Sequence, residues 1–126
     1  MALRKLLRKF WVKKKGVTAS DKEILLIDDD FEYARLLAKK LTSHGYVVYN
    51  AYSGKDGIEK AKTLHKPDLI LLDVIMREMS GYEVCLKLRE DKEVKDIPII
   101  MLTATENAKE ILEKLKVTAD GYIMKP

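Results

Sequence analysis

Short apolar runs that end abruptly in polar residues are the feature that most constrains how this chain can fold. Four such runs are EILLID at 23–28, DLILLD at 68–73, PIIMLT at 98–103 and GYIM at 121–124, the last followed by Lys125. A continuous run rich in Leu, Ile and Val is typical of a strand that is buried on both faces, as in a parallel sheet. The chain is therefore expected to build its core on such a sheet.

Segments with helical periodicity separate the runs. Apolar residues recur at three- and four-residue spacing between them, which predicts helices at 31–44, 54–65, 82–89 and 106–116. The predicted strands are 23–28, 46–51, 68–73, 97–103 and 119–124. Alternating strands and helices favour an α/β doubly wound fold, and right-handed crossovers with one reversal favour the flavodoxin-like strand order 2-1-3-4-5.

The N-terminal segment differs from the rest of the chain. Residues 2–15 place Leu3, Leu6, Leu7, Phe10 and Trp11 at i, i+3, i+4, i+7 and i+8, with cations on the other side, which predicts a basic amphipathic helix. The expected organisation is this helix over 1–16, a linker over 17–22 and one globular domain over 23–126. Residues 1–22 have a net charge of +7 and residues 23–126 a net charge of −3, within a total of +4. The globular part therefore offers no evident nucleic-acid-binding face.

Composition also excludes several classes of protein. Cys85 is the only cysteine, so an intramolecular disulfide is excluded and a reducing, cytoplasmic compartment is the expectation. No apolar stretch reaches the roughly 20 residues that a membrane-spanning helix needs. A length of 126 residues suits a single domain with a real core.

The polar residues that end the runs predict a functional site. Carboxyl ends of parallel strands meet at one sheet edge, and with strands 1 and 3 as neighbours Asp28 and Asp29 should lie beside Asp73. Crowded carboxylates repel unless a cation joins them, and hard oxygen ligands suit Mg²⁺. An aspartate beside the metal can attack phosphorus, while Thr103 and Lys125 would hydrogen-bond and neutralise the transferred oxygens.

Residues 23–126 resemble the receiver domain of two-component response regulators, in particular the single-domain, chemotaxis-regulator-like proteins. The matching motifs, in order, are ILLIDDD, LILLDVIM followed by Ser80-Gly81, PIIMLTA and GYIMKP. Each motif alone is weakly diagnostic, whereas all of them at receiver spacing are highly specific.

The resemblance implies a role for each site residue. Asp73 would be the phosphoacceptor, and Asp28, Asp29 and the backbone carbonyl of Ile75 would join it in holding Mg²⁺. Thr103 would supply the hydroxyl that follows the phosphoryl group, Lys125 would be the active-site lysine, and Tyr122 would be the aromatic switch. The implied partners are a histidine kinase or phosphotransfer protein and a downstream protein target, reached through protein contacts, and the chain would catalyse only its own phosphorylation and dephosphorylation.

Three positions depart from the family pattern. Arg77 stands where receivers usually have a proline, and so does Phe31. The sequence also stops at Pro126, where the family continues into a fifth helix. The helix at 2–15 is accordingly expected either to replace that fifth helix, within the chain or swapped in a dimer, or to bind an anionic membrane surface as a peripheral anchor; a free or partner-bound helix is the third alternative.

Three other functions are compatible with parts of the pattern. A phosphatase with an aspartate nucleophile would need a second aspartate at position 75, which is isoleucine. A non-phosphorylatable receiver would act as a binding module, but such domains typically lose an acid or the lysine. A membrane- or nucleic-acid-associated adaptor would use the basic helix, with the receiver as its binding module.

Overall fold

The core of the protein is a sheet of five parallel strands flanked by helices. The computed structural model describes residues 22–64, 66–104 and 119–125, together with Lys5, Leu7, Glu110 and Glu113 as single positions. The strands are β1 (Glu23–Ile27), β2 (Val47–Ala51), β3 (Leu69–Asp73), β4 (Ile99–Thr103) and β5 (Gly121–Met124), and the helices within the continuous ranges are α1 (Phe31–Ser43), α2 (Gly54–Thr63) and α3 (Gly81–Glu90).

The strand order is β2-β1-β3-β4-β5, which confirms the doubly wound, flavodoxin-like topology. Every neighbouring pair is parallel. The predicted element ends differ from the observed ones by one or two residues, as expected where strands and helices fray.

Alternation along each strand divides the core between the two faces of the sheet. In β1, Leu25 and Ile27 join the cluster that α2 and α3 cover, whereas Ile24 and Leu26 join the cluster that α1 covers. Both clusters consist almost entirely of side chains that are less than a tenth exposed. Two buried faces explain why the inner strands β1, β3 and β4 are almost entirely apolar rather than alternating with polar residues. Cys85 lies in the first cluster as a buried free thiol and packs there as a small apolar side chain.

Side-chain caps fix where the helices begin after the strands. The Oδ1 atom of Asp30 accepts a hydrogen bond from the Tyr33 amide at 3.1 Å and so caps α1. Ser53 and Ser80 cap α2 and α3 in the same way. Because each cap satisfies an amide that has no partner inside its helix, it ties the loop at the carboxyl edge of the sheet to a fixed geometry.

Two predicted helices lie mostly outside the described residues. Of the segment 106–116, Glu110 and Glu113 are helical, and of the segment 2–15, Lys5 and Leu7 are helical. The predicted linker falls outside the described part except for Lys22. Within the described residues, no helix has the length and apolar character needed to cross a membrane.

Candidate functional site

Strand register brings the polar strand ends to one level. Ile27 pairs with Leu72, so Asp28 follows β1 beside Asp73 at the end of β3. Thr103 pairs with Met124, so Lys125 follows β5 at the same edge. Backbone bonds continue past the strands, since the Lys125 amide donates to the Thr103 carbonyl at 2.7 Å. The predicted meeting of these residues at the carboxyl edge is what the structure shows.

Three carboxylates form the centre of the site. One oxygen from each of Asp28, Asp29 and Asp73 lies within 4.8 Å of the others. Asp28 is fully buried and Asp73 is 5% exposed. Three hard oxygen donors this close, from groups that would otherwise repel, fit the ligand preferences of Mg²⁺.

Lys125 supplies the positive charge of the site. Its Nζ lies 2.9 Å from Asp28 Oδ2 and 3.3 Å from Asp73 Oδ1. Burial opposes the charged ammonium, but pairing with the two carboxylates outweighs it and raises the pKa of Lys125. The ammonium also lies 4.4 Å from the centre of the Tyr33 ring, a cation–π distance.

The surroundings of Asp73 disfavour the charged form of its carboxyl group. Burial and, next, the charge of Asp28 raise the pKa of Asp73 from 3.8 to about 6, against the opposing effect of Lys125. Burial and the same two carboxylates raise the pKa of Tyr33 to about 12. A further cation at this site would relieve the crowding.

Two residues of the segment after β3, Arg77 and Gly81, also shape the site. The Arg77 amide donates to Asp29 Oδ2 at 2.8 Å, and Arg77 Nε lies 3.4 Å from the same oxygen. Gly81, the first residue of α3, lies so close to β3 that an added Cβ would overlap the carbonyl oxygen of Asp73. The glycine therefore allows the backbone of α3 to approach the backbone of Asp73.

Sequence reasoning missed Tyr33 and the Arg77 contact. Tyr33 lies in the first turn of α1, three residues after its cap, so the sequence indicated that it lies near the start of the helix but not that its ring would lie beside Lys125. The contact between Arg77 and Asp29 joins residues 48 apart in sequence. The one signal for this contact in the sequence was a cation in the loop after a strand that ends in an aspartate.

The other predicted site residues lie where the fold requires them. Thr103 is 2% exposed at the end of β4. Ile75 follows β3 by two residues, with a side chain that is 69% exposed, and Tyr122 lies on β5 with 40% exposure. These placements locate the residues and leave their implied functions as proposals.

Comparison with known proteins agrees with this arrangement. A family model described as the response regulator receiver domain matches residues 24–126. The chain belongs to the response regulator receiver domain family. It is 41% identical over 106 residues to the alkaline phosphatase synthesis transcriptional regulatory protein PhoP of Bacillus subtilis, covering 84% of this chain and 43% of PhoP. The receiver therefore spans less than half of that regulator.

Solved receiver structures have the same fold. The chemotaxis protein CheY4 of Vibrio cholerae superposes with a TM-score of 0.75 at 30% identity, covering 83% of this chain and 87% of CheY4. The response regulator TrrA of Thermotoga maritima, solved in complex with Mg²⁺ and BeF, gives a TM-score of 0.73 at 34% identity, with the same two coverages. This chain thus has the receiver fold of two-component response regulators.

Proposed function

We propose that Asp73 of this receiver accepts a phosphoryl group in a reaction that requires Mg²⁺. The observation on which the proposal rests is the cluster of three carboxylates within 4.8 Å, two of them paired with Lys125 Nζ at 2.9 and 3.3 Å. In the proposed reaction a carboxylate oxygen of Asp73 forms a bond to phosphorus. The bond between phosphorus and the donor nitrogen of a phosphohistidine, or the donor oxygen of a small phosphodonor, breaks, and its electron pair leaves with the donor.

All three carboxylates would bind the metal, and Asp73 would in addition accept the phosphoryl group. Asp28 and Asp29, with Asp73 and the backbone carbonyl of Ile75, would hold Mg²⁺, which neutralises charge on the transferred oxygens. Asp28 is fixed for this role because its Oδ1 accepts the Asp30 amide at 2.9 Å. Asp29 is oriented by the Arg77 amide.

Lys125 and Thr103 would act on the phosphoryl group after transfer. Lys125 already contacts Asp73, so its ammonium is in place to pair with a phosphoryl oxygen on that residue. Thr103 ends the strand next to β3, where its hydroxyl would follow the new oxygens. Tyr122 lies on neighbouring β5 with a ring that is 40% exposed, and its implied switch role would have that ring turn inward after phosphorylation.

The proposed partners follow from the family. Receiver domains interact with histidine kinases or phosphotransfer proteins, and a segment similar to this chain occurs in a Formosa agariphila protein named Histidine kinase P4, at 37% identity over 110 residues. For this chain we propose a histidine kinase or phosphotransfer protein as donor and a protein target downstream. Its own chemistry would be limited to gaining and losing the phosphoryl group.

The test is Mg²⁺-dependent labelling by a small phosphodonor such as acetyl phosphate. Wild-type protein should be labelled with Mg²⁺ and not with EDTA, and Asp73→Asn and Asp29→Asn should abolish labelling. Asp30→Asn is the matched control, because Asp30 is an exposed aspartate of the same acidic triplet whose capping role asparagine can fill. Labelling of Asp73→Asn at the wild-type level would disprove the proposal.

A further inference from the structure

Leu7, which belongs to the basic N-terminal segment, is buried in the apolar core of the receiver. Its side chain is 1% exposed, and Lys5, two positions earlier in the same helical segment, is exposed. Leu7 belongs to the apolar cluster on the α1 face of the sheet. Members of that cluster from the strands include Leu26, Leu71, Ile100, Leu102 and Ile123.

This face extends further than α1 does. Helix α1 packs mainly against β2 and β1, at one side of the sheet. At the other side, Ile100 and Leu102 of β4 and Ile123 of β5 are 2%, 0% and 8% exposed. Side chains buried to this degree must be covered by other residues. Among the described residues, two buried members of this cluster lie outside the strands and α1, namely Leu7 and Tyr46, and Tyr46 directly precedes β2 at the other side of the sheet.

Crossover handedness directs the connection from β4 to β5 away from this face. The crossovers from β2 to β3 and from β3 to β4 advance in the same direction along the sheet, and their helices α2 and α3 lie on the opposite face. A right-handed crossover from β4 to β5 advances in that direction too, and so belongs with α2 and α3. The connection from β4 to β5 is therefore not expected to cover this face of β4 and β5.

We propose that residues 2–15 form an amphipathic helix that covers β3, β4 and β5 beside α1 in its own chain. The apolar residues Leu3, Leu6, Phe10 and Trp11 share the helical stripe of Leu7, so the stripe would face the sheet and the seven cations of the segment would face solvent. Residues 2–15 would then be part of the domain core, a role that is separate from phosphoryl transfer.

The linker allows this placement. Residues 16–22 span up to roughly 23 Å at about 3.3 Å per residue. The distance from β1 to β5 is three strand spacings, or roughly 14 Å at about 4.8 Å each. A helix over residues 2–15 that is joined to β1 by this linker can therefore reach β5 of the same sheet, and no exchange of the helix between two chains is needed.

The first test compares Leu7→Ala with Lys5→Ala in the full chain by urea denaturation. Truncating a buried leucine leaves a cavity, so Leu7→Ala should increase the unfolding equilibrium constant by roughly a hundredfold or more. Lys5→Ala, on the exposed side of the same segment, should leave the constant unchanged within about twofold. Equal stability of Leu7→Ala and the wild type would overturn the proposal.

The second test needs no variant and uses Trp11, the only tryptophan of the chain. The proposal predicts that acrylamide quenches Trp11 weakly in the native monomer and strongly in urea. It also predicts a monomer by light scattering and an unchanged Trp11 spectrum when vesicles rich in phosphatidylserine are added. Native quenching as strong as in urea, a dimer that Leu7→Ala converts to monomer, or a vesicle-induced blue shift would each overturn the intramolecular cover, in favour of a free, swapped or membrane-bound helix respectively.

Discussion

Asp73→Asn should stabilise the metal-free protein, although it removes the residue proposed to be central to function. Asp28 and Asp73 are both buried, and the one described lysine at the cluster is shared between them. Without a metal, the native state holds more negative charge than Lys125 compensates. Asparagine has nearly the shape of aspartate and no charge, so the substitution relieves the repulsion without leaving a cavity.

The magnitude follows from the raised pKa of Asp73. A rise from 3.8 to about 6 means that the native carboxyl binds its proton more tightly than the unfolded one. At about 1.4 kcal/mol per pKa unit, ionising Asp73 in the native state costs at most roughly 3 kcal/mol. The shift already includes the opposing effect of Lys125, and an asparagine amide hydrogen-bonds less well to the Lys125 ammonium than a carboxyl does, so the expected gain is about 1–2 kcal/mol near neutral pH.

The sign of the pH dependence is fixed by the same comparison. Between about pH 4 and pH 6 the native state binds more protons than the unfolded state, so the contribution of Asp73 to stability falls as pH rises through that window. The advantage of Asp73→Asn should therefore be largest above about pH 6 and should disappear near pH 4.

Urea denaturation in EDTA, at neutral and at acidic pH, measures these differences. Asp30→Asn is the control for the substitution itself, and it should match the wild type. Adding Mg²⁺ should stabilise the wild type more than Asp73→Asn, because a ligand stabilises the state that binds it. An Asp73→Asn protein that is no more stable than the wild type in EDTA at neutral pH would refute the charge-crowding argument.

Three further predictions concern the loop after β3 and the start of α3. Gly81→Ala should destabilise the protein by about 1–3 kcal/mol or more, measured by denaturation, and should slow labelling of Asp73, because the new methyl group overlaps the Asp73 carbonyl; a stable, fully active variant would contradict the close approach. Arg77→Ala should increase Mg²⁺ affinity about two- to fivefold by isothermal titration, since an exposed cation beside Asp29 competes weakly with the metal; unchanged or lower affinity would show that Arg77 does not compete. Ile75 offers no polar group to orient an attacking water, so the phosphoryl group on Asp73 should be long-lived. Ile75→Asn should shorten the half-life of the label in a decay assay, and a wild-type label that decays faster than that of the variant would exclude this role.

The topology and the carboxylate cluster could be predicted from the sequence because both depend on local pattern plus general rules. Apolar runs identify buried strands, and right-handed crossovers with one reversal favour a strand order that brings Asp28 beside Asp73. The observed register confirms that step, with Ile27 opposite Leu72. Element ends were less accurate, since Asp28 still donates its amide to Ala51 while lying outside β1.

Contacts between loops and helices could not be read from the sequence in the same way. The distance between Arg77 and Asp29 depends on how the loop after β3 folds over the loop after β1, which no periodicity encodes. The position of Tyr33 under Lys125 depends on the angle at which α1 leaves the sheet. Such details are set by packing between elements rather than by the pattern within one element.

Site-resolved mass spectrometry tests the central claim most directly. Wild-type protein is incubated with acetyl phosphate and Mg²⁺, reduced with borohydride to convert an aspartyl phosphate to a stable product, and digested. The account predicts the modification on Asp73 and on no other aspartate, at a level that EDTA abolishes. Modification on Asp28, Asp29 or a histidine with Asp73 unmodified, or an equal yield in EDTA, would contradict it.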